Sequence, residues 1–516
     1  MKTIIYKSAA CAAALLLMSS CSDYLKETSG SLLIPKNATE YQSVLYGEAY
    51  PNGSFTNDVE WFDAMTDDMM CTPQAPKDAG TSDMSSTLAV GRGFYTWAQD
   101  VEYYYTGYPS FYETRYRNIM ACNTIIEKAQ EMQGEPGDIA KCVAQAYTLR
   151  AFNYWYLVNL YGLPYNEATA DTDMGVIIRT KSEVVRDQPQ RSTVAQVYEL
   201  INQDLDQALE LFDQASSTRS LFEVTKKVAQ LMKCRVGLDM KKWDEVIKYG
   251  EELADGDYGL YDITKLTEDD LEDYCFLNRL NTEIFFSYGE AGEIRNHSAM
   301  QEGIIAMGVQ FYNGAAFHTS DDLVNLYEDG DNRRVVFFGH DEVDPGLPDW
   351  GIPESWTCYR NAPTKHNQFQ SESEVYTSAM RTSEVLLSVA EAYVQKGGEG
   401  LQKAADLLNT LRKARFTAAT YSDIAPSSFA SQQDFLQFVR DERRRELCFE
   451  NGMRWFDLRR YGMPRLEHVY YASHDASPET YVLEQGDKNY TLELPSSELG
   501  YNGQVQHTAR RVNNPQ

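Results

Sequence analysis

No stretch of the 516 residues approaches the roughly 18–20 uninterrupted apolar residues that a membrane-spanning helix needs, so no transmembrane helix is expected. Cysteine is scarce. There are nine, none in a Cys-x-x-Cys pair, and seven remain once Cys11 and Cys21 are set aside. The odd number left over has no regular spacing, which argues against a disulfide framework or a zinc module. Cys122, Cys142, Cys234 and Cys448 fall inside helical patterns and read as small core residues. Only seven histidines are present, with no pair at helical metal-ligand spacing. Positive charge is short as well: 47 Lys and Arg against 76 Asp and Glu leave a formal charge of −29. Such a surface repels nucleic acid and anionic membranes and accepts neutral or cationic ligands. G-x-S-x-G, the phosphate-binding G-x-x-x-x-G-K-[ST] and H-E-x-x-H are all missing. The acidic run Glu328-Asp-Gly-Asp-Asn332 lacks the full calcium-loop spacing and its terminal glutamate, so it reads as a solvated turn. Neither a metal nor a cofactor is expected.

What is present begins with a leader. Lys2 and Lys7 precede a short apolar run from Ser8 to Met18, and Ser19, Ser20 and Cys21 follow. This is a secretory signal, too short to span a bilayer as a helix. Leu17-Met18-Ser19-Ser20-Cys21 resembles a bacterial lipobox, in which the cysteine becomes the lipidated first residue of the mature chain. Residues 1–20 are then a signal peptide, 21–34 a lipidated tether, and 35–516 a single domain. Acyl chains on Cys21 would anchor it, since each buried methylene contributes about 0.8 kcal/mol.

Beyond the tether, amphipathic helix pairs dominate. Thr193-Val-Ala-Gln196 is a capping-box pattern. Val194, Val197, Tyr198, Ile201, Leu205, Ala208, Leu209 and Phe212 then recur on one helical face. Tyr112, Tyr116, Ile119, Asn123 and Ile126 form a second stripe, and Ile139 to Tyr161 is a long helix stopped by Gly162 and Pro164. Thr225–Met240, Trp243–Ala254, Ser383–Gln395, Leu401–Arg415 and Gln432–Glu450 supply further helices. Units near 112–161, 193–255 and 383–450 suggest degenerate tetratricopeptide-like packing, a curved scaffold without built-in chemistry. Between Tyr258 and Tyr376 the chain is rich in Gly, Asp, Asn and Pro. There a strand is expected at Glu283–Tyr288, a short helix at Asp321–Tyr327, and loop elsewhere, including Val343–Trp350. Long irregular segments of this kind are usually functional. The tail from about Glu467 is also mostly irregular, with a strand at Tyr490–Leu494.

Two segments carry a family resemblance. Leu149-Arg-Ala-Phe-Asn-Tyr-Trp-Tyr-Leu-Val-Asn-Leu-Tyr-Gly162 resembles the aromatic helix of the SusD/RagB family. Glu442-Arg-Arg-Arg-Glu-Leu-Cys-Phe-Glu-Asn-Gly-Met-Arg-Trp-Phe-Asp-Leu-Arg-Arg-Tyr-Gly462 resembles its C-terminal signature. Weaker echoes are Asp321–Arg333, Arg381–Leu387 with Ala390-Glu-Ala392, and Asn513-Asn-Pro515. The chain departs from the pattern at Asn451, where glycine is more usual, and in the 289–376 loops. The resemblance implies a mainly α SusD-like fold with long loop insertions and a few short strands. It also implies a surface lipoprotein of Bacteroidota that captures oligosaccharides and delivers them to a SusC-like TonB-dependent outer-membrane barrel, without being an enzyme. The alternatives are a peptide-binding member of the same family and, further off, a glycoside hydrolase.

Within the signature, Leu436, Val439, Arg443 and Leu447 share a helical face, so Arg443 falls in an apolar stripe. It needs a carboxylate, with Glu446, Glu450 and Asp457 the local candidates. Glu450 and Arg454 would pair four apart if the helix ran on past Gly452.

A pyranose presents C–H groups on one face and hydroxyls around its edge. Rings on loops beside a rigid scaffold suit the first, at little entropic cost, and Asn, Asp, Gln and Arg suit the second. Two regions fit. The first runs from Glu60-Trp-Phe-Asp63 through Phe94-Tyr-Thr-Trp97 to Tyr103-Tyr-Tyr105, and the resemblance implies a ligand platform there. Trp97, Asp100 and Tyr104 are the leading candidates, with Trp61 and Asp67 next. The second holds Phe317, Trp350, Trp356 and Tyr359, with Arg360 and Asn361 beside them.

Overall fold

The computed structural model describes residues 35–51, 59, 61–71, 91–101, 110–183, 188–217, 220–266, 276–278, 280–288, 303–306, 309–312, 317–338, 342–344, 356–358, 378–472 and 476–516. The signal, Cys21 and the tether lie outside them. The fold is mainly helical. In chain order the helices are α1 (Ala38–Glu48), α2 (Phe111–Lys128), α3 (Pro136–Tyr161), α4 (Val194–Phe212), α5 (Lys226–Asp239) and α6 (Trp243–Ala254). The one-turn helices α7 (Asp321–Val324) and α8 (Arg333–Val336) follow, then α9 (Thr382–Lys396), α10 (Gly400–Lys413), α11 (Gln432–Leu447), α12 (Met453–Arg460) and α13 (Ser496–Tyr501).

Each long helix forms for a local reason. The Thr193–Gln196 capping box is present at the start of α4, both arms of it hydrogen-bonded. Ser110 caps α2 by accepting from the Glu113 N–H. α3 starts with Pro136, whose missing N–H is no loss in a first turn, and stops at Gly162. Successive helices pack side by side: α2 on α3, α3 on α4, α4 on α5, α5 on α6, α6 on α9, and α9 on α10 and α11. α3 is buried on every side from Cys142 to Tyr161 except at Tyr147, so its polar groups need internal partners. Arg150 grips Asp204 at 2.6 and 2.8 Å, and Trp155 Nε1 donates to Asp239 at 2.8 Å. The joint between the two helical halves lies where α6 meets α9. A Cβ on Gly250 would sit 2.3 Å from a Val389 methyl, so glycine permits this approach.

The strands come in two-stranded antiparallel pairs. β1 (Met69–Cys71) pairs with β5 (Phe317–Thr319), and β2 (Ile284–Tyr288) with β8 (Ser378–Arg381). β3 (Gly303–Ala306) pairs with β4 (Val309–Tyr312), β6 (Glu342–Asp344) with β7 (Trp356–Cys358), and β9 (Leu466–Tyr470) with β10 (Glu479–Leu483). Three expectations change. The 258–376 stretch carries short hairpins where loop was expected, Val343 among them. Tyr490–Leu494 is no strand: Tyr490 closes a 3-10 turn, and the Leu492 N–H then donates to the Leu160 carbonyl. The irregular tail also holds the β9–β10 hairpin.

The helix from Gln432 ends at Leu447, three residues short of expectation. Phe449, Asn451 and Gly452 take φ of 58°, 57° and 68°. Asn451 therefore stands in a left-handed position that glycine adopts freely and asparagine tolerates. Its side chain donates to the Ala379 carbonyl at 3.0 Å and accepts from Tyr288 at 2.5 Å. Because the helix breaks there, Glu450 and Arg454 do not pair. Glu450 takes Arg381, and Arg454 takes Asp67. Arg443 takes Asp457 at 2.8 Å, one of its three expected partners.

These contacts belong to a large buried network. The Glu446 carboxylate accepts from Arg381 at 2.5 Å, Arg415 at 2.8 and 3.0 Å, and Arg333 at 3.0 Å. Glu283 bridges Arg381 and Arg415, and Glu442 receives Arg333, Arg412 and Arg445. Burial alone would raise the Glu446 pKa. The Arg415 and Arg381 charges overcome that and hold it well below the usual carboxylate range. The acidic run expected to be a solvated turn is drawn in too: Glu328 pairs with Arg412, and Asp331, fully buried, with Arg333. Among the described residues, Cys71, Cys122, Cys142, Cys234 and Cys448 are buried free thiols, as the helical patterns implied for the last four.

Candidate ligand-binding site

The first aromatic region folds as two segments, 61–71 and 91–101, laid against β5 and the β9–β10 hairpin. Phe94 stacks on Trp61 with ring centroids 6.0 Å apart and planes at 17°. Phe62 meets Phe111 edge-on at 5.3 Å. Gly91 makes the approach possible, because a Cβ there would lie 2.4 Å from the Phe317 ring and 2.9 Å from Trp61. Tyr95 packs on Phe317 at 5.0 Å, accepts from the Cys71 N–H at 2.9 Å and donates to the Val469 carbonyl at 3.2 Å. One ring thus ties β1, β5 and β9 together.

His468 occupies the centre. Tyr95 and Trp97 stack on it at 4.1 and 4.2 Å, nearly parallel, so they cover its opposite faces. Its two nitrogens lie 2.7 Å from the Tyr95 carbonyl and 3.0 Å from the Thr66 carbonyl. Burial pushes the imidazole down to about 4, against the pull of both carbonyls and of Asp67.

Trp97 is held from every direction. Nε1 donates to the Met65 carbonyl at 2.9 Å, and its own carbonyl accepts from Asn489 at 2.9 Å. Arg510 donates to the Ala98 carbonyl at 2.6 Å, and Asn513 to the Thr96 carbonyl at 2.8 Å. The φ of 49° is unusual for a bulky residue and persists because these bonds over-determine it. The C-terminal Asn513 thereby gains a physical role: it fastens the aromatic segment.

The expected site residues therefore separate. Trp97, the leading candidate, is wholly buried. With one face on His468 and its N–H engaged, it supports the cluster and offers no face to a ligand in this conformation. Asp67 forms a two-pronged pair with Arg454, both contacts 2.8 Å, and lies 3.4 Å from Arg444. Burial raises its pKa, but the two arginine charges win and hold it well below the usual range. Its charge is committed to the signature segment, with a quarter of the side chain left exposed. Trp61 sits beside them with 8 % of its surface exposed. Asp100 is exposed two residues past Ala98, within electrostatic reach of Arg510. Phe317 is buried under Tyr95. Trp356 opens β7, its backbone paired with Asp344. The Trp356 side chain, Tyr104, Trp350, Tyr359, Arg360 and Asn361 lie outside the described residues. Sequence reasoning missed Tyr95 and His468. The alternation of Leu466, His468 and Tyr470 with Glu467 and Val469 was the available signal, since it places the histidine on the buried face of a strand.

Comparisons with known proteins agree with this architecture. A model described as the SusD family matches residues 351–514, and one described as starch-binding associating with outer membrane matches residues 40–238. A SusD-like protein P2 from Formosa agariphila is 25 % identical over 432 residues, covering 79 % of this chain and 80 % of the relative. A SusD superfamily structure from Bacteroides thetaiotaomicron superposes with a TM-score of 0.67 at 20 % identity, over 92 % of this chain and all of the other. A laminarin-binding SusD-like protein superposes with a TM-score of 0.60 at 18 % identity, over 92 % and 99 %.

Proposed function

The chain belongs to the SusD/RagB family, and from that premise we propose that it is an outer-membrane lipoprotein that captures glycans and passes them to a SusC-like TonB-dependent barrel. The observation that carries this reading is the match of residues 40–238 to the outer-membrane starch-binding model, because that stretch contains the Trp61–Trp97 aromatic cluster. The laminarin-binding neighbour supports a carbohydrate cargo. Lipidated Cys21 supplies the anchor, and residues 22–34 let the domain stand off the lipid.

In this reading the glycan is held by rings and polar groups of the two candidate regions. Trp61, Asp100 and Tyr104 contribute from one side, and Trp350, Trp356 and Tyr359 from the loop segment. Trp97 and Asp67 set the height and rigidity of that surface from below. The protein binds without cleaving. Within the C-terminal signature, arginines hold Glu442, Glu446 and Asp457 ionised, so these three do not supply the protonated carboxyl that a glycosidase needs.

Calorimetric titration of the soluble chain starting after Cys21, against polysaccharides and short peptides, tests the proposal. Heat from one glycan class with no new reducing ends is expected. Heat from peptides alone would replace the cargo, and the net charge of −29 makes cationic peptides the ones to try first. New reducing ends would make the protein an enzyme.

A further inference from the structure

A second cleft, of about 330 Å³, opens between α2, the segment 177–183 and α13, and shares no lining residue with the Trp61–Trp97 cluster. It is at the small end of the roughly 300–1,000 Å³ range of ligand pockets. Its walls are fixed. Tyr116 donates to the Ile177 carbonyl at 2.6 Å, Tyr154 to the Arg179 carbonyl at 2.8 Å, and Asn123 to the carbonyls of Arg179 and Lys181, each at 3.1 Å. On the opposite side Asn502 donates to the Pro189 carbonyl at 2.8 Å, and Ser497 donates to Glu113, joining α13 to the start of α2.

The lining is mixed in a specific way. The Tyr112 hydroxyl lines the cleft beside that of Tyr116, which gives its proton to the Ile177 carbonyl and keeps lone pairs to accept from Tyr112. The Glu498 carboxyl lines the cleft as an acceptor, and burial raises its pKa. Arg179 and Lys181 line the cleft as cations against Glu113, Glu183 and Glu498, so the charges do not select an ion of one sign. At the rim, Tyr501 keeps 57 % of its surface exposed, unusual for so large a ring.

We propose that this cleft is a second saccharide subsite, taking one or two neutral sugar rings of the captured glycan. The Tyr501 ring covers a C–H face, and Glu498, Arg179 and the Tyr112 hydroxyl pair with hydroxyl groups. The inference rests on the glycan-capture reading and adds a contact on the helical scaffold itself. Two sites on one rigid chain raise the effective concentration of a long polymer at each.

The test is calorimetric titration of the soluble chain with short oligosaccharides of the glycan class that it binds. Wild type, Tyr501→Ala, Glu498→Gln and Trp356→Ala are compared, with circular dichroism as the check on folding. Two oligosaccharides per protein are expected, falling to one in Tyr501→Ala and, separately, to one in Trp356→Ala. Glu498→Gln should weaken one of the two steps by about tenfold, since it keeps shape and removes a charged acceptor. A single binding step in wild type that neither Tyr501→Ala nor Glu498→Gln alters would overturn the subsite and leave glycan capture standing. No glycan binding by wild type would overturn both.

Discussion

The C-terminal signature and the aromatic segment 91–98 solve the same problem, holding polar or bulky groups inside a protein, by different means. Around α11 the chain buries whole charges and neutralises them in a lattice. Glu446 alone meets Arg333, Arg381 and Arg415, all fully buried. Around Trp97 it buries rings and pins them through backbone carbonyls, with one histidine between two aromatics. The lattice fails if one charge goes, because its partners are left uncompensated in low dielectric. The ring stack fails differently, since a lost contact leaves a cavity or an unpaired carbonyl. The two regions touch through Asp67 and Asp68, held by Arg454 and Arg444 of the signature.

The sharpest way to break this comparison is Arg381→Ala. It removes a cation shared by Glu283, Glu446 and Glu450, and removing one member of a buried ion pair costs about 3–5 kcal/mol. Against a total stability of roughly 5–15 kcal/mol, urea unfolding followed by far-ultraviolet circular dichroism should show a large shift of the midpoint or an unfolded chain. A midpoint within about 1 kcal/mol of wild type would show that the charges are not buried as described.

The ring stack should betray itself through pH. With the His468 pKa lowered from 6.5 to about 4, the unfolded chain binds the proton first. The stabilising contribution is complete above about pH 6.5 and is lost as the pH falls toward 4, amounting to about 3 kcal/mol once both states are protonated. Nuclear magnetic resonance of the His468 ring should report a midpoint well below 6.5. A midpoint above 6.5 would mean that the two carbonyls and Asp67 outweigh burial, and the sign of the pH dependence would reverse.

The two regions also differed in how legible they were. The helices around 112–161, 193–254 and 383–413 follow from apolar spacing and from stops such as Gly162, because a helix is a local structure with a local code. The Arg443–Asp457 pair was within reach for the same reason, the partners being close in sequence. Glu283 on Arg381 and Arg415, or Asp67 on Arg454, could not be read, since nothing local reports a partner about 100 to 390 residues away. The end of α11 was misjudged because the backbone leaves the helix at Cys448 and turns left-handed at Phe449, residue types that announce no stop. Trp97 was misjudged more deeply: a loop-borne tryptophan looks the same in sequence whether its face meets solvent or His468. Of the candidate site, the segment was legible and the direction of each ring was not.

Asp67→Asn probes the seam between the regions. It removes the charge facing Arg454 and Arg444 and keeps the shape. With a quarter of the Asp67 side chain exposed, water weakens the loss, and about 1–2 kcal/mol is expected from the same urea midpoint. Glycan affinity should fall with it, because the Met65–Asp68 turn carries the carbonyl that receives Trp97 Nε1. Unchanged affinity alongside lower stability would uncouple the frame from the ligand surface.

The smallest effect on stability and the most selective effect on function are expected at Trp356. Its backbone lies in the β6–β7 hairpin, and that hairpin pairs with no other strand among the described residues. In the capture reading the ring meets sugar, so truncation to Ala leaves the urea midpoint where it was. A ring stacked on a sugar contributes by contact area and geometry, so its loss should weaken glycan binding about tenfold or more. Trp97→Ala must give the opposite pattern. Emptying a fully buried site costs about 3–5 kcal/mol, and affinity then falls only as far as the platform loses its support. Calorimetry and unfolding on the same two variants separate surface from support. If Trp356→Ala destabilises the chain while Trp97→Ala costs only affinity, the assignment of the two rings is the wrong way round.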